Sequence, residues 1–94
     1  MYLVYLSYYR PVEEVETLLE PHIQWLDRYF AAGVFIAAGR KDPRTGGMIM
    51  VKDIDRQRLD AILAEDPFVA VANYEVTKVN VTRASAAFDA LVGI

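Results

Sequence analysis

Four stretches of the chain are rich in the aliphatic, β-branched and aromatic side chains that favour strands. They are YLVYLSY at 2–8, VFIAAGR at 34–40, GMIMV at 47–51 and NYEVTKVNVT at 73–82. Pro43 and Gly46 supply turn chemistry between the second and third stretches, which predicts a hairpin. The apolar alternation of the fourth stretch changes phase near Thr77 and Lys78, so we expect a bulge or a change of environment there.

A helical pattern separates the first two strands. Its apolar residues recur at helical spacing, with acids on the opposite side, and they are Val12, Val15, Leu18 and Leu19. Pro21 interrupts this pattern, because proline lacks a backbone donor and restrains the residue before it. We expect one or two helical turns, then a kink or restart, and then a main helix over about 21–32 with Gly33 as its C-cap.

A second main helix is predicted over 53–66, between the third and fourth strands. Asp53 or Asp55 is placed to cap its start. Its inward stripe is expected to be Leu59, Ile62 and Leu63. Asp66 and Pro67 end the pattern and predict a short turn before the last strand.

The predicted order is strand, helix, strand, strand, helix, strand. A short amphipathic helix over RASAAFDALVGI, with Phe88 and Leu91 directed inward, is expected to close the chain. This order is the α+β, ferredoxin-like βαββαβ pattern, in which both main helices cover one face of an antiparallel sheet. The length predicts a single domain over 1–94.

The predicted strands are apolar on both faces. YLVYL, VFIAA and MIMV show no polar alternation, whereas a sheet with one solvated face alternates apolar and polar residues. Hydrophobic residues make up 54% of the chain, which is a large share for so small a domain to bury alone. We therefore expect a homodimer in which the open faces of two sheets pack together.

Composition removes several classes of function. The net charge of −3 opposes general nucleic-acid binding, which requires a basic surface. The chain has no cysteine and one histidine, so disulfides, thiolate chemistry and a transition-metal site are not expected. We expect neither a signal peptide nor a membrane span, since no apolar stretch approaches 20 residues. A soluble, cytoplasmic protein without a cofactor is the expectation.

His22 is the first candidate for chemistry, because it lies on the inward stripe of the predicted main helix. One interpretation is a core histidine bonded to a backbone carbonyl, and the other is a histidine that a carboxylate keeps functional. Asp66 is the acid best placed to reach it, although an aspartate before proline is also a common cap for the turn that follows.

Cations and hydroxyls complete the set of candidates. Arg40 ends the second predicted strand and is suited to binding a carboxylate or an enolate, although such residues also simply solubilise hairpins. Lys41 and Arg44 add positive charge to the same hairpin, GRKDPRTGG. On the first strand, hydroxyl groups that could line a pocket belong to Tyr5, Ser7 and Tyr8.

These residues together resemble the YCII-related (YciI-like) family of small dimeric α+β barrel proteins. The resemblance spans about residues 1–82 and rests on the early strand, the H-x-x-W-L of His22–Leu26, the strand ending at Arg40, and DPF at 66–68. It implies a ferredoxin-like protomer that dimerises through its sheet, and a His-Asp dyad in a cleft, which here is His22 with Asp66. Pro21 departs from members with a plain helix at this point.

The resemblance also implies a range of activities. One relative resembles a dehydrochlorinase that acts on a chlorinated hydroxyquinol, whereas most members have no assigned reaction. Our first hypothesis is a lyase or isomerase for a small cyclic or aromatic acid, with His22 as general acid and base. The second is a non-catalytic, ligand-binding or stress-associated dimer with the same pocket. A third is an interaction module whose exposed sheet receives other proteins.

Overall fold

A computed structural model describes residues 1–94. Its strands are β1 (Tyr2–Tyr8), β2 (Phe35–Arg40), β3 (Gly46–Val51) and β4 (Ala72–Lys78). Its α-helices are α1 (Val12–Thr17), α2 (Leu19–Ala31) and α3 (Arg56–Ala64). Two 3-10 segments cover Pro67–Ala70 and Ala86–Leu91. No helix combines the length and the apolar character that crossing a membrane requires.

The four strands form one antiparallel sheet in the order β2-β3-β1-β4. With α2 and α3 inserted after β1 and β3, this is the ferredoxin-like arrangement, so the predicted fold class is confirmed. The register places Val4 of β1 opposite Ile49 of β3 and Val76 of β4. These side chains share one face of the sheet because successive residues of a strand point to opposite faces.

The helices pack on that face and form the core with it. Leu59, Ile62 and Leu63 are buried, which confirms the predicted inward stripe of α3. The Trp25 side chain of α2 is 2% exposed and its Nε1 donates to the Ile62 carbonyl at 2.9 Å. Each large apolar side chain buried in this way stabilises the fold by roughly 1.5–3 kcal/mol. The tryptophan bond also fixes α2 against α3.

The predicted short helix, restart and main helix are confirmed as α1 and α2, but the break falls at Leu18, which ends α1 and precedes α2, and not at Pro21. Pro21 is the third residue of α2, in the first turn, where a backbone N–H has no partner within the helix. Gly33 adopts a positive φ of 74° after the helix, as expected of a terminating glycine. His22 therefore lies on an unbroken helix, and its orientation is set by the same face that buries Trp25.

Two other boundaries differ from the predictions. α3 begins at Arg56 and ends at Ala64, so it is shorter than 53–66. Asp55 precedes it without a side-chain capping bond. β4 pairs continuously with β1 and ends at Lys78. Of the two alternatives predicted near Thr77 and Lys78, the change of environment is therefore correct, because the strand ends there. The irregular pairing in the sheet lies in β2, between Phe35 and Ala37.

The predicted C-terminal amphipathic helix does not form, and of its two expected inward residues Leu91 is half-buried and Phe88 is exposed. Ala86–Leu91 is a 3-10 segment with a kink at Phe88. The Phe88 side chain is 62% exposed, and the segment contains no buried residue. It is too short and too irregular to present one continuous apolar stripe.

The second face of the sheet lies away from the helices. We call it the open face, and its apolar members on β1 and β3 are Leu3, Tyr5, Met48 and Met50. Tyr5 is 38% exposed, and Leu3 and both methionines are half-buried. None of these four side chains belongs to the buried core of the chain.

Candidate functional site

A cavity of about 190 Å³ lies between α2 and the end of the sheet formed by β1, β2 and β3. Nine of the 14 residues that line it are hydrophobic, so its walls are mainly apolar. On the helix side the apolar wall is formed by Leu19, Ile23 and Leu26, and on the sheet side by Leu6 and Ile49. The polar side chains at this cavity are few, which is typical of a small-molecule site.

His22 lines the cavity from α2, and its Nδ1 lies 2.7 Å from Oδ1 of Asp66. The two side chains are almost completely enclosed, at 11% and 0% exposure. Asp66 reaches this position because α3 ends just before it and the chain turns into Pro67–Ala70. The structure thus brings together the histidine and the acid that the sequence indicated, 44 residues apart.

The Asp66 carboxylate has three hydrogen-bond donors. Oδ1 accepts from the Phe68 backbone N–H at 3.0 Å as well as from His22, and Oδ2 accepts from the Tyr74 hydroxyl at 2.5 Å. The Phe68 bond is the cap of the 3-10 turn. The two alternative interpretations of Asp66, cap and histidine partner, are therefore both correct at once, because one carboxylate has enough lone pairs for both.

The His22 ring is held between aromatic side chains. It stacks on Phe68 with ring centroids 3.7 Å apart and planes 4° from parallel, and Trp25 lies at 5.6 Å on a tilted plane. Because an ionised carboxylate can only accept, Nδ1 carries the proton in this contact. In the neutral ring Nε2 then bears the free lone pair.

Nε2 makes no hydrogen bond with the protein and is not sealed from solvent. Asp66 lies outside the cavity lining, so Nδ1 is directed away from the cavity and Nε2 is the nitrogen left for a bound molecule. This arrangement presents a lone pair at the cavity and a carboxylate behind the ring. It is suited to general acid–base chemistry.

Tyr74 remains a hydrogen-bond donor over a wide pH range. Burial, followed by the negative charge of Asp66 and the hydrogen bond to it, raises the pKa of Tyr74 far above its ordinary value. The phenol is consequently neutral whenever the protein is in ordinary buffer. At neutral pH the Tyr74 hydroxyl therefore donates to Asp66 and adds no second negative charge beside it.

Arg40 is the cation that lines the cavity. It forms no ion pair, whereas Arg44 pairs with Glu16, and Lys41 donates to the Ser7 hydroxyl at 2.9 Å. Of the three cations expected at the hairpin, Arg40 is thus the one left available to an anionic ligand.

The tyrosine and serine candidates are divided by the sheet. Tyr8 lines the cavity and contacts the edge of Phe68, with ring centroids 6.0 Å apart. Tyr5 and Ser7 do not line it, because their strand positions point to the open face. The expectation that all three would line one pocket with His22 is therefore corrected to Tyr8 alone.

Two adjacent glycines form part of the cavity wall where β3 begins. A Cβ on Gly46 would lie 1.8 Å from the Leu6 carbonyl oxygen, and a Cβ on Gly47 would lie 2.9 Å from that of Gly39. Both contacts are with backbone atoms, which cannot move aside easily. Glycine is therefore required for β3 to approach its neighbours at this end of the cavity.

Sequence reasoning missed the roles of Phe68 and Tyr74. The Asp-Pro-Phe turn contains a usable signal, since an aspartate cap accepts from the backbone N–H two residues later. Tyr74 alternates with Val76 on the buried face of β4, and a buried phenol requires an acceptor. No group of three or more His, Cys, Asp or Glu side chains comes together in a manner suited to holding a metal ion.

The fold and this site define a small α+β domain with a buried histidine–aspartate pair beside an apolar cavity. A family model of the YCII-related domain matches residues 1–83, and the chain belongs to that family. The resemblance noted from the sequence is confirmed. A comparison with curated proteins finds no match for the chain.

Proposed function

We propose that this protein is a cofactor-independent lyase or isomerase that uses His22 and Asp66 for general acid–base chemistry on a small, cyclic, acidic molecule. One observation carries the proposal. Nδ1 of His22 is hydrogen-bonded to Asp66 at 2.7 Å, while Nε2 has no protein partner beside the cavity. One ring nitrogen is thus held by a carboxylate and the other is available to a bound molecule, which is the arrangement that general acid–base chemistry requires.

In this mechanism Nε2 of His22 removes a proton from a carbon or hydroxyl of the bound molecule. Asp66 stabilises the imidazolium that forms and keeps the ring in the tautomer with Nδ1 protonated. In an isomerisation the proton returns to another atom of the substrate. In an elimination a leaving group departs from the neighbouring carbon and His22 releases its proton to solvent.

The cavity and Arg40 support a substrate of limited size with negative charge. An apolar cavity of roughly 150 Å³ holds benzene, so about 190 Å³ suits a single ring with small substituents. Arg40 is positioned to bind a carboxylate or to stabilise an oxyanion that develops during proton removal. Tyr8 adds one hydroxyl to the same lining.

The experiment uses monocyclic carboxylates, phenols and halogenated hydroxyquinols in D₂O, with proton NMR following loss of C–H signals and appearance of products. His22→Gln should reduce the rate roughly 10²–10⁴-fold. Asp66→Asn should also lower the rate, because it removes the carboxylate behind the ring. Asp27→Asn is its matched control and should leave the rate unchanged, because Asp27 is an exposed acid on the same helix as His22.

An undiminished rate in His22→Gln contradicts the proposal. A panel compound that binds in a manner that requires Arg40, and yet shows neither hydrogen exchange nor product, also contradicts catalysis. That result favours the alternative of a non-catalytic ligand-binding protein.

We also propose that the protein is a homodimer joined through the open face. Leu3, Tyr5 and Met50 present apolar surface there that one chain leaves uncovered, and covering it removes that surface from water. Sedimentation at several concentrations should give a dimer for the native chain and a monomer for Met50→Lys. Val12→Lys, at an exposed valine on α1, should remain dimeric. A monomeric native chain contradicts this proposal and favours an interaction module.

A further inference from the structure

Asp66 presents its two carboxylate oxygens to different elements of the fold. Oδ1 accepts hydrogen bonds from the His22 ring of α2 and from the Phe68 N–H of the turn. Oδ2 accepts a hydrogen bond only from the Tyr74 hydroxyl of β4. The terminal torsion of an aspartate is broad and roughly two-fold, so its own rotamer preference does not hold the plane of the carboxylate. The donors around it must do so.

Solvent cannot replace the Tyr74 bond readily. The Asp66 side chain is 0% exposed, and Oδ2 has no second donor within the chain. Without the phenol hydroxyl, Oδ2 would be a buried anionic oxygen without a partner, which is unfavourable. The carboxylate would then turn to share its existing donors between both oxygens, and the bond from His22 would lengthen or bend.

Tyr74 is well fixed for this role. Its register position in β4 is opposite Leu6, in the middle of the strand pairing with β1, so the backbone that bears it is hydrogen-bonded on that side. Burial beside Asp66 also raises the pKa of Tyr74, so the hydroxyl keeps its proton. Tyr74 does not line the cavity beside His22, so its hydroxyl is not placed to contact a molecule bound there.

We propose that Tyr74 is a positioning residue, whose hydroxyl holds Oδ2 of Asp66 so that Oδ1 stays directed at Nδ1 of His22. For turnover this inference rests on the proposed function of His22 as a general base. For the geometry of the pair it stands independently, because it concerns the orientation of a carboxylate in the unliganded protein.

The test is NMR of the full chain labelled with ¹⁵N-histidine, in which the single histidine gives an unambiguous ring spectrum. For the native protein we expect the proton on Nδ1, with a signal that lies downfield and exchanges slowly, because Nδ1 is bonded to Asp66. In Tyr74→Phe, which keeps the ring and loses only the hydroxyl, that signal should move upfield and exchange faster. The signal comes from folded molecules, so a moderate loss of stability does not obscure it.

The matched control is Tyr29→Phe. Tyr29 also donates its hydroxyl to a carboxylate, that of Glu65 at 2.7 Å, but Glu65 makes no bond to His22. This variant should leave the histidine spectrum as it is in the native chain. An unchanged histidine spectrum in Tyr74→Phe, or an equal change in both variants, overturns the inference.

The kinetics of turnover give a second measurement. Loss of a phenol with a purely structural role would not lower kcat selectively. On the most active compound of the panel, Tyr74→Phe should lower kcat by roughly tenfold and leave KM unchanged. A change confined to KM, or no change in kcat, overturns the role in catalysis. If His22→Gln instead retains full activity, the proposed function fails, while the NMR comparison still decides whether Tyr74 positions the pair.

Discussion

Glu65 and Asp66 are neighbours in sequence, and each accepts a hydrogen bond from a tyrosine hydroxyl and contacts a nitrogen of α2. Glu65 accepts hydrogen bonds from Tyr29 and Arg28 at the surface, and 44% of its side chain is exposed. Asp66 accepts hydrogen bonds from Tyr74 and His22, and its side chain is wholly enclosed. Water can replace the partners of the first carboxylate and cannot reach the second, so burial rather than bonding pattern separates a surface cluster from a candidate site.

The largest expected difference between the two clusters, the groups bonded to Glu65 and the groups bonded to Asp66, is in the free energy of unfolding. Asp66→Ala leaves the buried donors of His22, Phe68 and Tyr74 without an acceptor, so we expect the free energy of unfolding to fall by about 3–5 kcal/mol. Glu65→Ala should lower it by less than about 1 kcal/mol, because the Arg28 and Tyr29 groups regain water. Urea titration of both variants measures the difference. Equal losses would show that Asp66 is not buried as described.

A second difference is expected at alkaline pH. Burial and Asp66 raise the pKa of Tyr74, so above the ordinary tyrosine value of 10.0 the unfolded chain loses a proton that the folded chain keeps. The stabilisation from Tyr74 is therefore complete below pH 10 and declines as the pH rises further. The slope contributed by this one group is at most about 1.4 kcal/mol per pH unit.

Unfolding by urea at pH 9, 10 and 11 measures this slope. Tyr74→Phe should show a shallower decline than the native chain over that interval. Tyr29 also has a raised pKa, chiefly through its hydrogen bond to Glu65, but it lies near the surface, so Tyr29→Phe should alter the slope less. A larger effect of Tyr29→Phe would reverse the comparison between the two clusters.

The smallest expected effect is that of salt on the surface cluster. The Arg28–Glu65 pair is exposed on both sides, and ions screen it strongly at 1 M, where the screening length is about 3 Å. The small destabilisation of Glu65→Gln at low salt should therefore vanish at 1 M NaCl. For Asp66→Asn the loss should persist, because the ions cannot approach the buried pair. Thermal unfolding of both variants and of the native chain, at low salt and at 1 M NaCl, measures this difference.

Much of the fold follows from local pattern. The strand at 2–8 and the inward stripe of Leu59, Ile62 and Leu63 were predictable because side-chain periodicity reports which face of an element is buried. The helix break was misplaced because Pro21 breaks a helix interior but fits a first turn, and the residue at which a helix starts depends on packing. Phe88 was misplaced because the few apolar residues of a short terminal segment do not specify what they pack against.

The candidate site was predictable in part. His22 lay on the inward stripe, and Asp66 ended the second helical pattern, so their approach follows from two helices that cover one face of a sheet. The division of Tyr8 from Tyr5 and Ser7 needed the register of β1, since a shift by one residue exchanges the faces. The stacking of Phe68 on His22 depends on how closely α2 approaches the turn, which periodicity does not report.

The sequence by itself determined the elements, their order and which side of each is apolar, because those properties depend on residues within a few positions of one another. Only the tertiary structure decided that Asp66 is enclosed and Glu65 is not, and that a phenol from β4 completes the carboxylate. The reason is physical: His22 lies 44 residues from Asp66, and their contact forms only when α2 and α3 are packed on the same sheet.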